Sequence, residues 1–308
     1  MLSPILVPTD FSPASTKALA YALELATAME ADVRLLHVLN RSDLGPAAAE
    51  TQTEAQEGMD EATQALAALR QLAATASVSL PCVVREGRVP AEEILGEAED
   101  MDIGLIVLGT CGQRPARPGL GAVASEIIQL APCDVLLVPH SEAAAQVSIR
   151  RILVPIDFSG ASRPLLALGQ RLAEALGAQL DLVHVLEPLP HPVRWLDETL
   201  VDLVPEIQER AATALRALAS GVSSSVLGGL YVERGKAAPS IPRIAKALES
   251  DLILLGPHAE RPVFDKLLGS VAEGVARRAS CPVLVARASA SPDGSPPDVN
   301  THSYEAAA

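Results

Sequence analysis

Basic residues are in short supply in this chain: 24 Lys and Arg stand against 38 Asp and Glu in 308 residues, a formal charge of −14 with a pI near 4.9. Non-specific nucleic-acid affinity comes from clustered cations, so no nucleic-acid partner is expected and any bound anion has to be held locally. Cysteine is scarce as well. Cys82, Cys111, Cys133 and Cys281 form no CxxC pair and no Cys/His set with zinc spacing, so they read as reduced thiols and no metal ligand is assigned. There is no run of 18 apolar residues, so no membrane-spanning helix is expected. "MLSPILVPTDF" enters an apolar stretch with no basic segment before it, so no secretion signal is expected either and the cytoplasm is the expected compartment. The motif GxxxxGK[ST] is missing too, which leaves a Walker-type Mg-ATPase without support.

What the chain does have is a long internal repeat. About half of its residues are apolar, enough to bury two cores of ordinary size. "ILVPTDFSPAS" at Ile5–Ser15 returns as "ILVPIDFSGAS" at Ile152–Ser162, and the same offset of 147 carries His37 onto His184 and Gly109 onto Gly256. A period this long means a duplicated domain, because solenoid repeats run to about 20–50 residues. From Gly121/Gly269 to Cys133/Cys281 the offset is 148, so the first copy has one residue fewer between Gly109 and Gly121. The expected domains are residues 1–140 and 150–288. "HSEAAAQVSIR" between them reads as a linker, and the Pro/Ser/Asp-rich residues 289–308 read as a disordered tail.

Within each copy short β-rich runs alternate with longer helical patterns, the signature of βαβ units on a parallel sheet. In the first copy the runs are Ile5–Pro8, Val33–Leu39, Val78–Val84, Ile103–Gly109 and Val135–Pro139. The first helix is expected to start at Ser12 as N-cap with Pro13 behind it, and to bury a stripe of Leu19, Ala22, Leu23, Ala26 and Met29. Its counterpart carries Leu165, Leu168, Leu172 and Leu176, with Gly177 as C-cap. Right-handed crossovers make such an order a doubly wound sheet, with a ligand crevice at the carboxyl ends of its strands. Asp10 and Asp157 follow strand 1 there, and Gly109 and Gly256 follow strand 4. A glycine after a strand lets the backbone approach a ligand, and a Gly-Ser pair opening a helix offers free N–H groups and a hydroxyl. The same glycines also suit a tight strand-to-helix turn.

These residues resemble the universal stress protein family. The resemblance rests on the "VP.D.S" opening of strand 1, on His37-Val38 and His184-Val185 at the end of strand 2, and on the loop pattern G-x2-G-x9-G-[ST]. It implies two tandem Rossmann-like α/β domains, each a five-stranded parallel sheet of order 3-2-1-4-5. It also implies pairing through the last strands, as an intramolecular pseudo-dimer or with a second chain. In nucleotide-binding members the loop takes the phosphates and ribose, and the strand 1 Asp and strand 2 Val hold the adenosine. Carried over, the second copy offers Pro155, Asp157, Val185, Gly256, His258, Gly269, Ser270 and Val271, with Ala259 where a glycine is expected. The first offers Asp10, Val38, Gly109, Gly112 and Gly121, but with eight loop residues instead of nine and Ala122 in place of the hydroxyl residue.

The implied function is binding of ATP, ADP or AMP, with or without Mg, by a stress-response sensor or adaptor acting on a protein partner. A nucleotide-free scaffold and a slow ATP hydrolase are the alternatives, and the absence of an evident general base makes turnover slow at most. Asp10 and Asp157 could instead form Asx-turns. His37 and His184 have no Asp or Ser partner at catalytic spacing and are assigned no chemistry. His258 faces either phosphate or solvent. Arg88 and Lys236 read as solvated charges, as do the acidic runs Glu50–Glu61 and Asp197–Glu209. Cys133 and Cys281 read as buried apolar residues, whereas Cys111 lies in the loop beside a helix start.

Overall fold

The computed structural model describes residues 3–40, 52–73, 78–112, 119–140, 147–188, 199–256 and 269–287. The tail, most of the linker, parts of both acidic runs and the loop residues His258 and Ala259 lie outside these. The first half runs β1 (Ile5–Pro8), α1 (Pro13–Met29), β2 (Val33–Asn40), α2 (Gln52–Ala73), β3 (Cys82–Gly87), α3 (Pro90–Asp100), β4 (Leu105–Gly109), α4 (Ala122–Leu130) and β5 (Asp134–Val138). The second repeats it as β6 (Arg151–Pro155), α5 (Ser162–Leu176), β7 (Gln179–Leu186), α6 (Thr199–Ala219), β8 (Leu227–Arg234), α7 (Ala237–Ala247), β9 (Leu252–Leu255), α8 (Ser270–Ala276) and β10 (Val283–Val285).

Local chemistry accounts for most of these boundaries. Ser12 caps α1 by accepting the Ser15 N–H at 3.2 Å, and Pro13 fills the position behind it, where its missing N–H costs nothing. Gly177 ends α5 in the left-handed region at φ 65°. The buried face of α1 is Ala18, Leu19, Ala22, Leu25 and Ala26; Leu23 and Met29 only flank it. Strand 3 departs from expectation by starting at Cys82 instead of Val78. Pro81 has no N–H and enters the ladder only through its carbonyl, which accepts from Leu35 N at 2.9 Å.

Each half has the order 3-2-1-4-5, and the two join into one ten-stranded sheet, β3-β2-β1-β4-β5-β10-β9-β6-β7-β8. All ladders are parallel except the central one, where β10 runs antiparallel to β5 with Leu284 opposite Leu136 and Val283 opposite Leu137. The apolar last strands thus cover each other, as an exposed apolar edge requires. Helices α1, α2, α5 and α6 bury one face of the sheet and α3, α4, α7 and α8 the other, and each core runs unbroken across the seam. At one end of the seam Arg287 donates its backbone N–H to Asp134 Oδ1 at 2.7 Å and a guanidinium N–H to the Ile128 carbonyl.

A buried charge sits under β8. Asp181, 2% exposed, accepts the Gly229 N–H at 2.6 Å and faces Arg151 Nε at 3.4 Å, where the register of β7 against β8 slips. A Cβ on Gly228 would come within 2.4 Å of the carboxylate, so this place needs glycine. Asp181→Ala leaves a partly buried cation and a backbone donor without their acceptor. It is expected to cost about 2 kcal/mol, since Arg151 keeps some contact with solvent. Urea unfolding would read this as a lowered midpoint, and an unchanged midpoint would show that the pair contributes nothing.

Candidate functional site

At β1 and β4, and again at β6 and β9, consecutive helices leave the sheet on opposite faces. α1 and α5 lie on one side, α4 and α8 on the other. This reversal opens a crevice outside the carboxyl ends of those strands. Asp157 follows β6 there, Val185 is the last residue but one of β7, and Gly256 follows β9. Pro155 is the last residue of β6 and pairs with Val183 of β7. Gly269 is the N-cap of α8, followed by Ser270 and Val271. In the first half Asp10, Val38, Gly109 and Gly121 occupy the matching places, and Gly112 lies three residues after the end of β4.

Asp157 is exposed, and one of its oxygens is already in use. Oδ1 accepts from Ser159 N at 2.9 Å and from Ser162 Oγ at 3.1 Å. Burial pushes this carboxyl up, but the hydrogen bonds from Ser159 and Ser162 outweigh it and hold the group below the usual aspartate value. It is therefore an ionised acceptor at neutral pH, suited to hydroxyl or amine donors. Ser270 is exposed at the first position of α8.

In the first half the described residues run on past β4 to Gly112. Asp10 Oδ1 accepts from Ser12 N at 3.1 Å, and a Cβ added to Gly112 would lie 2.7 Å from Asp10 Oδ2, so the chain after β4 folds against this carboxylate. Gly121, the N-cap of α4, donates its N–H to the Thr110 carbonyl at 2.6 Å. The loop after β4 thus passes close to the Asp10 carboxylate and is tied to the N-cap of α4.

The glycines after strand 4 have a role that their position in the sequence did not disclose. A Cβ on Gly109 would fall 2.9 Å from the Ala14 Cβ, and one on Gly256 would fall 3.1 Å from Leu165 Cδ2. Their smallness lets the following helix, α1 or α5, close onto the strand end. Gly121 and Gly269 have φ of −67° and −63°, which any residue adopts. The histidines in the second half of β2 and of β7 hold the backbone that leaves β1 and β6. His37 Nδ1 lies 2.8 Å from the Thr9 carbonyl and His184 Nδ1 lies 2.7 Å from that of Ile156, so each ring donates there. Arg88 and Lys236 are exposed.

Burial pushes the thiols of Cys133 and Cys281 up to about 12 and raises Cys82 as well. Cys111 is half-buried in the loop and packs into neither core. It is expected to alkylate at pH 7.5 at least about tenfold faster than the other three. Equal labelling of all four thiols in the folded protein would refute this.

Among the described residues no helix is long and apolar enough to cross a membrane. The universal stress protein family model matches residues 1–139 and again 148–287. A universal stress protein of Mycobacterium tuberculosis is 29% identical over 209 residues, 64% of this chain, and the chain spans only 64% of that relative's length. One from Mycolicibacterium smegmatis is 27% identical over 299 residues, 92% of this chain and 96% of that protein. The crystal structure of a universal stress protein from Archaeoglobus fulgidus superposes with a TM-score of 0.66 at 24% identity, over 92% of this chain and 95% of that one, which speaks to the fold. With both copies matched and the paired α/β halves in place, the chain belongs to the universal stress protein family as a tandem, two-copy member.

Proposed function

We propose that this protein binds ATP, or the related ADP or AMP, chiefly in its second half, and that it acts as a cytoplasmic stress-response sensor or adaptor for a protein partner. The observation that carries this reading is that the crevice at β6 and β9 holds an ionised Asp157 and, at the start of α8, an exposed Ser270. In the second half Ser270 offers a hydroxyl at the first position of α8, where the first half has Ala122 at the start of α4. In the first, Gly112 packs on Asp10 and Gly121 donates to Thr110. A carboxylate that accepts from ribose hydroxyls or the adenine amine, together with a helix start that donates to phosphate, is a donor and acceptor set suited to an adenine nucleotide. Mg2+, where present, would enter with the phosphates.

Extraction of the purified protein, followed by chromatography that separates ATP, ADP and AMP, tests the reading together with calorimetry on the emptied protein. Intact ATP and one tight site are expected. ADP or AMP carried in place of ATP would point to turnover. No nucleotide in the extract and no binding heat would overturn the proposal in favour of a nucleotide-free scaffold.

A further inference from the structure

Aromatic residues make up only 2% of the chain, with three phenylalanines, yet two of these occupy the same special position in the two copies. Phe11 and Phe158 directly follow the strand 1 aspartates and have φ of 62° and 60°. This left-handed conformation suits glycine and strains a residue with a Cβ. Burial does not explain the choice in the second half, because Phe158 is 39% exposed. What the ring does is lie against a histidine. Its centroid is 4.5 Å from that of His184 with the planes tilted by 43°, and the Phe11–His37 pair repeats this at 4.5 Å and 36°.

His184 is itself anchored to the residue before Asp157. The Ile156 N–H donates to the Val183 carbonyl at 2.8 Å, and His184 Nδ1 donates to the Ile156 carbonyl at 2.7 Å. Because the Ile156 carbonyl lies in the same peptide plane as Asp157 N, the imidazole sets the orientation of the chain entering Asp157. The Phe158 ring, held on the same imidazole, sets the chain leaving it. Asp157 is thus bracketed by two points fixed to one side chain of β7. We propose that Phe158, seated on His184, is a positioning residue that aims the Asp157 carboxylate into the crevice between β6 and β9. The benefit to ligand binding rests on the nucleotide reading above; the positioning of the carboxylate does not.

The test uses the full chain. Phe158→Gly keeps the left-handed turn without strain and removes the ring, Phe158→Tyr keeps the ring, and His184→Leu removes the anchor from the other side. In the nucleotide-free protein, NMR titration of the Asp157 carboxyl is expected to move up to the ordinary aspartate range in Phe158→Gly and His184→Leu, and to stay in place in Phe158→Tyr. ATP affinity is expected to fall about tenfold in the first two and to hold in the third. Thermal melting of Phe158→Gly should stay near that of the parent, which separates positioning from loss of fold. An unmoved Asp157 titration in Phe158→Gly or in His184→Leu would overturn the proposal, as would Phe158→Tyr shifting it as far as Phe158→Gly. If the parent protein takes up no ATP, the nucleotide reading fails and the titration still decides the positioning role.

Discussion

Lysine at both Leu137 and Leu284 is expected to open the ten-stranded sheet at its centre. The two leucines are fully buried in neighbouring ladder positions of β5 and β10, Leu137 on the core shared with α4 and α8, Leu284 on the core shared with α1 and α5. Each substitution loses a core leucine, a change of the kind that costs about 2–5 kcal/mol, and adds the desolvation of an ammonium with no acceptor in place. Together the two approach the whole stability of an ordinary domain, about 5–15 kcal/mol. The paired variant should show a larger hydrodynamic radius, or self-association through the freed strands, and a steeply lowered melting temperature. A radius and a melt like those of the parent would mean that this seam does not hold the halves together.

Asp157→Ala and Ser270→Ala are expected to remove most of the bound nucleotide, whereas Asp10→Ala changes it little. A hydrogen bond to a charged group contributes about 1.5–3 kcal/mol, which is about one to two orders of magnitude in affinity. Asp157→Ala has a second effect, because it also takes away the acceptor of Ser159 N and Ser162 Oγ at the entry to α5. Asp10→Ala similarly loses the Ser12 N–H contact and should lower the melting temperature modestly without touching the occupied site. Calorimetry on the three variants decides the matter. Two sites of equal affinity in the parent, or Asp10→Ala abolishing binding while Asp157→Ala spares it, would reverse the assignment of the halves.

Much of this molecule was legible in the amino-acid order. The offset between "ILVPTDFSPAS" and "ILVPIDFSGAS" established two copies, and the Ser12-Pro13 pair located the start of α1, because caps and prolines act over three or four residues. The apolar runs at Val135 and Val283 required a cover for the last strands. The strand order and the ligand positions came from the resemblance to a family, carried by a few short motifs.

Only the tertiary structure decided which partner covered those strands, since a run such as "DVLLV" is equally complementary to another copy of itself. It also decided what the glycines are for. Nothing near Gly109 in the chain names Ala14 as its neighbour, and nothing near Gly112 names Asp10, because residues about 100 apart meet only once β1 and β4 lie side by side. The pairing of Phe158 with His184 and the burial of Asp181 beside Gly229 are of the same kind. Local sequence sets hydrophobic period, caps and turns, which are short-range terms. The state of each crevice depends on contacts between distant segments, and those exist only after the sheet has brought them together.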